Sequence, residues 1–291
     1  MKSASLALLR DYAALTKPRL LPLVLVTGLP ALGMAGWPAP ATAASVLLGI
    51  ALAAAAANAL NCYVERDRDA LMERTRTRPL PAAKLTPAAA LRFGVGLAVV
   101  STALLFAVGG SVAAALGCAS ILYYVFVYTV WLKPRSAWNA VVGGVAGAVA
   151  PLIADAAVNG AITVAGASLF AIVFFWQPPH VWAIALYRKR DYERAGIPML
   201  PSVVGDEAAR RRTLLATVGF VPVTLAPVAF GLLGAPYLGA ALALDAWFLA
   251  DALRLTRQRS DAAARRLFRT SLAVLFGLFV AMLVELGVGS L

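Results

Sequence analysis

The stretch AASVLLGIALAAAAANALNCYVERDRDALMERTRTRPLP, residues 43–81, decides the fold. From Ala43 to Leu60 it carries no charge, and at about 1.5 Å per residue such a run nearly matches the hydrocarbon thickness of a bilayer. The chain then turns charged while the helical spacing continues: Asn61, Glu65 and Asp69 stand at steps of four and share one helix face. An apolar helix that carries oxygen-bearing side chains past its end predicts a membrane span with a metal-and-anion site at its mouth. A second acidic and basic cluster follows near Asp191. Two such clusters in an apolar chain point to polyphosphate chemistry at a membrane.

The rest of the sequence has the same character. Of its 291 residues 61% are hydrophobic and the mean hydropathy is +0.80, too much apolar surface for one water-soluble core. Apolar stretches are read at roughly 20–36, 42–63, 88–109, 111–131, 138–158, 161–186, 213–233, 236–253 and 268–289. The expectation is an all-α polytopic membrane protein of about nine transmembrane helices. No soluble segment longer than a loop is visible, so residues 1–291 read as one integral-membrane domain.

The net charge of +12 would point to nucleic acid in a soluble protein. Here the Lys and Arg residues fall in alternate loops, as membrane insertion requires, and no nucleic-acid partner is expected. Lys17 and Arg19 precede the first span, Arg66 to Lys84 follow the second, and Lys133 and Arg135 follow the fourth. Further groups run from Arg188 to Arg212 and from Arg254 to Arg269, while the loops near Gly109, Asn159 and Gly234 contain none. This places the N-terminus and the acidic-motif loops in the cytoplasm and the C-terminus outside. The N-terminal segment has no cleavable signal pattern. Cys62 and Cys118 lack the spacing of a zinc site or a disulfide framework and read as buried structural thiols.

Three carboxylates at Glu65, Asp67 and Asp69 repel one another unless neutralised. Mg²⁺ suits that task because it takes hard oxygen ligands and leaves room for substrate phosphates. Asp67 points away from the Asn61, Glu65, Arg68 and Asp69 face and is expected to pair with a neighbouring Arg. Gly143, Gly144 and Gly147 permit close helix approach or leave room for a large flat ligand. His180 is the single histidine; Pro178 and Pro179 before it predict a broken or kinked helix. If that helix is unbroken beyond them, Asp191 lies on a face similar to that of His180, with Tyr187 one turn before it. Among the acids near the membrane, Asp155, Asp245, Asp251 and Glu285, Asp245 is the candidate for a substrate-cavity role.

These motifs resemble those of the UbiA-type intramembrane prenyltransferases. The pattern Asn61-x3-Glu65-x3-Asp69 is similar to the family's first acidic motif, and Met72-Glu73-Arg74-Thr75 and Arg78-Pro79-Leu80 resemble its haem-farnesylating branch. Thr16 to Arg19, Tyr128-Thr129 with Leu132-Lys133, and Asn139 with Gly143, Gly144 and Gly147 match further segments. So do Trp176-Gln177, Pro179-His180, Asp191-Tyr192, Ala195-Gly196 and Pro198 to Pro201. The resemblance covers roughly residues 16–290 and implies a bundle around a central cavity. It also implies Mg²⁺-dependent transfer of a farnesyl group from farnesyl diphosphate to a vinyl group of haem b.

In that reading Asn61, Glu65, Asp69 and Asp191 are the catalytic metal-site residues, with Asp191 facing the other three across the cavity. Tyr128, Lys133, Arg19 and Arg68 contact the diphosphate. Arg188 and Lys189 either grip it too or only follow the cytoplasmic charge bias. Tyr187 lies beside the second motif. His180 meets the porphyrin or its iron, or takes the place of an acidic metal-site residue. Membrane lipid surrounds the protein, and a haem A synthase or terminal oxidase is an implied partner. Two positions depart from the pattern: Glu65 stands where Asp is usual and Cys62 where Asn is common, while Pro134-Arg135-Ser136 is less basic than the family's segment. The competing readings are prenyl transfer to another aromatic or tetrapyrrole acceptor, a transporter, and a non-catalytic haem carrier. A transporter needs polar groups near the midplane, whereas these carboxylates gather at the cytoplasmic helix ends; a carrier needs no acidic face at all.

Overall fold

The computed structural model describes residues 2–288, with side chains from 6 to 287, so the last residue of the ninth expected span and the C-terminus lie outside the described residues. No strand occurs among the described residues. A first helix, α1 (Lys2–Leu15), leads into α2 (Leu21–Met34) and α3 (Pro40–Asp69). Two arms follow, α4 (87–109) and α5 (111–132), the second ending as a π-helix over Tyr123–Leu132. The segment 139–159, α6, is a helix in three short pieces. After it come α7 (Val164–Tyr187), α8 (Asp206–Ala229), α9 (Ala235–Gln258) and α10 (Asp261–Val288).

The arms α4 and α5 fold back on each other at Gly110, whose φ of +75° and ψ of −173° suit glycine alone. A Cβ on Gly117 would lie 2.6 Å from the Leu105 side chain, whereas twelve residues along a straight helix span about 18 Å. Small residues also set the α3–α4 contact. A Cβ on Gly94 would meet Leu60 at 2.8 Å, one on Gly49 would meet Leu105 at 2.6 Å, and Ser101 donates to the Gly49 carbonyl at 3.0 Å. Lipid gives no hydrophobic drive between helices, so close packing of this kind has to hold them together. The outer surface is accordingly apolar, with Phe106 63% and Leu215 68% exposed.

The chain is a multi-pass membrane protein, although the count of nine spans is not reproduced. By length and composition six stretches qualify among the described residues, with Pro87–Leu132 taken as one. The fold-back at Gly110 divides that stretch into two arms. Leu21–Met34 has only 14 residues, about 21 Å of helix, and α9 is made more polar by Asp245, Asp251 and Arg254.

The four acids near the membrane join the helices to one another. Asp155 accepts from the Thr163 backbone N–H at 2.6 Å, from Thr163 Oγ1 at 2.9 Å and from Asn159 Nδ2 at 2.8 Å, closing the α6–α7 turn. Glu285 accepts from the backbone N–H groups of Gly234 and Tyr237 and so caps α9. Asp245, the cavity candidate, instead lies between α8 and α9. It is 2% exposed, accepts from Thr224 Oγ1 at 2.5 Å, and lines none of the cavities described below. Asp251 accepts from Arg254, from Arg266 Nε at 2.9 Å and from Thr270 Oγ1 at 2.6 Å, tying α9 to α10.

Candidate active site

The α3 face is formed as its spacing predicts. Asn61, Glu65 and Asp69 are buried at 1%, 4% and 1% exposure, while Asp67 faces solvent and pairs with Arg66 at 3.7 Å. Each buried group meets a partner from elsewhere in the chain. Asn61 Oδ1 accepts from Lys17 Nζ at 2.8 Å, and its Nδ2 donates to Thr129 Oγ1 at 3.1 Å. Glu65 forms an ion pair with Lys133, and Asp69 Oδ2 accepts from Arg78 Nη1 at 2.7 Å. Asp69 Oδ1 is buried without a hydrogen-bond partner.

The π-helix explains how α5 reaches this face. Its wider turn, seen where the Lys133 N–H donates to the Tyr128 carbonyl at 2.8 Å, sets Tyr124 and Tyr128 with ring centroids 5.2 Å apart. Thr129 then meets Asn61 and Lys133 meets Glu65. Lys17 comes from the turn after α1 in a left-handed backbone conformation (φ +52°). That turn is pinned by Asn58 Nδ2 donating to the Thr16 carbonyl at 3.2 Å. Burial pulls the Lys17 ammonium down to about 8. Burial acts the same way on Lys133, but the neighbouring Tyr128 and Glu65 outweigh it and hold that ammonium above the usual lysine range.

Two cavities meet here. A charged chamber of about 170 Å³ is lined by Lys17, Asn61, Glu65, Asp69, Arg78 and Lys133, among others. A larger, apolar chamber of about 340 Å³ is lined by Gly143, Gly144, Gly147, Trp176, Gln177 and His180, among others. Leu20, Tyr124, Tyr128 and Val181 line both. The glycines make room first for the protein's own side chains. A Cβ on Gly143 would stand 2.2 Å from Tyr128 Cδ2 and one on Gly147 2.9 Å from Gln177 Oε1, while Gln177 Nε2 donates to the Gly144 carbonyl at 2.6 Å.

His180 stacks on Trp176 at 4.2 Å and leans on Phe268 at 4.8 Å. Its Nδ1 is 2.7 Å from Ser271 Oγ. Ser271 Oγ also stands 2.7 Å from the Phe268 carbonyl, so one hydroxyl ties the ring to the α10 backbone. The ring lines the apolar chamber.

The second motif is arranged differently from the sequence expectation. α7 runs on through Pro178 and Pro179 and ends at Tyr187; a separate short helix, Lys189–Arg194, carries Asp191. This break removes Asp191 from the His180 face. Asp191 is buried, with Arg188 Nη1 3.9 Å from its Oδ2, but its neighbour Tyr192, not Asp191, lines the charged chamber. Among the described residues no three of Asp, Glu, His and Cys come together as a metal-holding group. Lys189 is committed to Asp206 at 2.9 Å, and Tyr187 sits between Arg188 and Arg265, 5.7 and 5.4 Å from its ring. Arg19 is exposed and Arg68 half-buried, and neither lines a chamber.

The cations that do line the charged chamber include Lys17, Arg74 and Arg78, which sequence reasoning had given no role in the site. Lys17 stands in the same Thr16–Arg19 segment as Arg19, and Arg78 in the same basic run as Arg68. Which cation of each run turns inward is set by the turn after α1 and the loop after α3. The donor set fits a hard divalent cation: Asn61, Glu65 and Asp69 offer oxygens on one face, and Asp69 Oδ1 has no other partner. Two carboxylates and an amide leave coordination positions for phosphate oxygens.

Residues 20–283 match the model of the UbiA prenyltransferase family. The chain is 46% identical over 282 residues to the protoheme IX farnesyltransferase of Rhodopseudomonas palustris strain BisB5, covering 94% of this chain and 90% of that protein. It is 45% identical over 279 residues to the protein of the same name from Gloeobacter violaceus, covering 95% and 92%. A UbiA homologue from Archaeoglobus fulgidus, solved with GPP and Mg²⁺, superposes with a TM-score of 0.62 at 17% identity, covering 94% of this chain and 99% of that one.

Proposed function

The chain belongs to the UbiA prenyltransferase family, and on that footing we propose that it transfers the farnesyl group of farnesyl diphosphate to a vinyl group of haem b, with addition of water, giving haem O and diphosphate. The observation that carries this reading is near-full-length identity of 45 to 46% to two protoheme IX farnesyltransferases. The two chambers agree with it, one charged and one apolar, meeting at Tyr124 and Tyr128.

The diphosphate sits in the charged chamber against Lys17, Arg78 and Lys133, with Tyr128 at the junction. Asn61, Glu65 and Asp69 would hold Mg²⁺, with Asp191 on the short helix whose Tyr192 lines the chamber. When bound, the ion neutralises charge on the departing diphosphate. As the C–O bond of the farnesyl ester breaks, negative charge grows on the diphosphate, and Lys133 and Arg78 turn from Glu65 and Asp69 to meet it. The allylic carbon, directed into the apolar chamber, is attacked by the vinyl carbon. The tyrosines and the tightly packed glycine face keep bulk water from that carbon until the new C–C bond has formed. Water then adds to the resulting cation and releases a proton, leaving the hydroxyethylfarnesyl side chain. His180, on the wall of the apolar chamber, would meet the porphyrin or its iron. The loops carrying the acidic motifs face the cytoplasm, the whole chain serves as one domain, and a haem A synthase or terminal oxidase receives the product.

The test is mass spectrometry of haems extracted after incubating purified protein with haem b, farnesyl diphosphate and Mg²⁺, beside Asp69→Ala. A Mg²⁺-dependent farnesylated haem that disappears in the variant supports the reading. Consumption of farnesyl diphosphate without such a haem assigns the chemistry to another acceptor. Neither consumption nor product from folded protein rejects prenyl transfer.

A further inference from the structure

On the outer side of α9 and α10, away from both chambers, a groove of about 580 Å³ is lined by Trp247, Arg265, Arg266, Arg269, Thr270 and Ala273, among others. Charge bias at a cytoplasmic rim accounts for arginines that only touch water. It does not account for Asp251, which is 1% exposed and accepts from Arg254, from Arg266 Nε at 2.9 and 3.1 Å and from Thr270 Oγ1. A buried carboxylate is costly to desolvate, and its effect here is to fix one arginine on the groove wall. Arg265 lies over the Tyr187 ring, and Arg269 has no hydrogen bond or ion pair among the described residues. The groove thus offers more guanidinium charge than its single carboxylate balances.

Its remaining wall is apolar, made by Trp247, which is 44% exposed, with Ala262 and Ala273. An inorganic anion would leave that wall unused. We propose that this groove binds an anionic phospholipid, its phosphate on Arg265, Arg266 and Arg269 and an acyl chain along Trp247 and Ala273. Occupancy also bears on the interior, because α10 also supplies Phe268 and Ser271, two of the residues that hold His180. A lipid clamped on the outside restrains the helix that positions that ring.

The experiment reconstitutes the full chain in nanodiscs of phosphatidylcholine, with or without phosphatidylglycerol, and counts retained phosphatidylglycerol by native mass spectrometry alongside thermal unfolding. The wild type should retain phosphatidylglycerol and unfold at higher temperature when it is present. Arg269→Gln should retain about fivefold less, since one arginine near an anionic headgroup contributes about that factor, and should unfold as the wild type does in phosphatidylcholine alone. If the arginine variants fail to fold, Trp247→Ala, which removes the acyl-chain wall, should show the same loss of retention. Equal retention by wild type and variants overturns the proposal. So does a thermal gain from inorganic phosphate in phosphatidylcholine discs equal to that from phosphatidylglycerol, which would mark a soluble-anion site.

Discussion

Gly143→Ala should lower the rate of farnesylated haem formation about a hundredfold, and the reason is steric. The new Cβ would lie 2.2 Å from Tyr128 Cδ2, 2.5 Å from Tyr128 Cε2 and 2.6 Å from the Asn139 carbonyl oxygen. Carbon atoms in contact prefer about 3.5 to 4.0 Å, so the ring must retreat by roughly 1.3 Å or more. The carbonyl has little freedom to yield, since it accepts the Gly143 N–H at 2.8 Å. Tyr128 lines both chambers and stands 5.7 Å from Lys133 Nζ. A displacement of about 1 Å in a group that orders the reacting parts costs on the order of a hundredfold, and overpacking costs about 1 to 3 kcal/mol of stability. The neighbouring glycines provide the scale. At Gly147 the Cβ would meet only the tip of Gln177 at 2.9 Å, and at Gly144 the same side chain at 3.3 Å. Initial rates from mass spectrometry of extracted haems, with thermal unfolding of each variant, should rank the losses 143, then 147, then 144. A Gly143→Ala enzyme at near wild-type rate, or a Gly144→Ala enzyme equally impaired, would refute the steric reasoning.

Removing one partner of a buried ion pair leaves the other uncompensated, so Lys133→Met should cost about 3 to 5 kcal/mol of stability as well as turnover. In the Glu65→Gln/Lys133→Met double variant, unfolding should return toward wild type while the rate stays lost; a double variant as unstable as the single would refute the pairing. Ser271→Ala removes the hydroxyl that holds the His180 ring through Nδ1. Haem b titrated by its absorption should then bind several-fold more weakly while the KM for farnesyl diphosphate holds, and an unchanged haem titration would remove His180 from the haem side. Asp155→Ala strands the Thr163 and Asn159 donors, so unfolding should fall by about 1 to 3 kcal/mol with the rate per folded molecule kept. A lower rate at equal stability would give that acid a functional part.

The sequence made the α3 face legible because it depends on local geometry alone: residues four apart share a helix face whatever surrounds them. Asn61, Glu65 and Asp69 accordingly lie together and Asp67 does not. The cations were harder to place, because which arginine of a basic run turns inward depends on loops. Arg78, not Arg68, reaches Asp69, and Lys17, not Arg19, reaches Asn61. Asp191 shares the His180 face only if the helix runs unbroken past Tyr187, and the break at Arg188 puts Asp191 on a separate short helix. The acids near the membrane read as functional because a lone charge there is expensive. Some of their partners, among them the Gly234 backbone N–H and the Thr224 hydroxyl, lie far away in the sequence and leave no mark in the local pattern. No periodicity announces a π-turn, so the route by which Lys133 reaches Glu65 was also hidden.

Glu65 and Asp69 are buried side by side on one face, and each already has a counter-ion from another segment, Lys133 from the end of α5 and Arg78 from the loop after α3. Without these partners the face would carry two desolvated negative charges on adjacent turns, an arrangement that folding does not tolerate without neutralisation. The pairings let the site assemble before substrate arrives, and they also store the groups that substrate needs. A diphosphate entering the chamber competes with the carboxylates for Lys133 and Arg78, and with Asn61 for Lys17. Every guanidinium or ammonium it captures leaves an oxygen on α3 without a partner, as Asp69 Oδ1 already is. Anion binding and cation binding at this face are therefore coupled in sign: each removes the charge imbalance that the other creates. The extra methylene that Glu65 has over an aspartate lengthens its reach toward Lys133 without disturbing that logic.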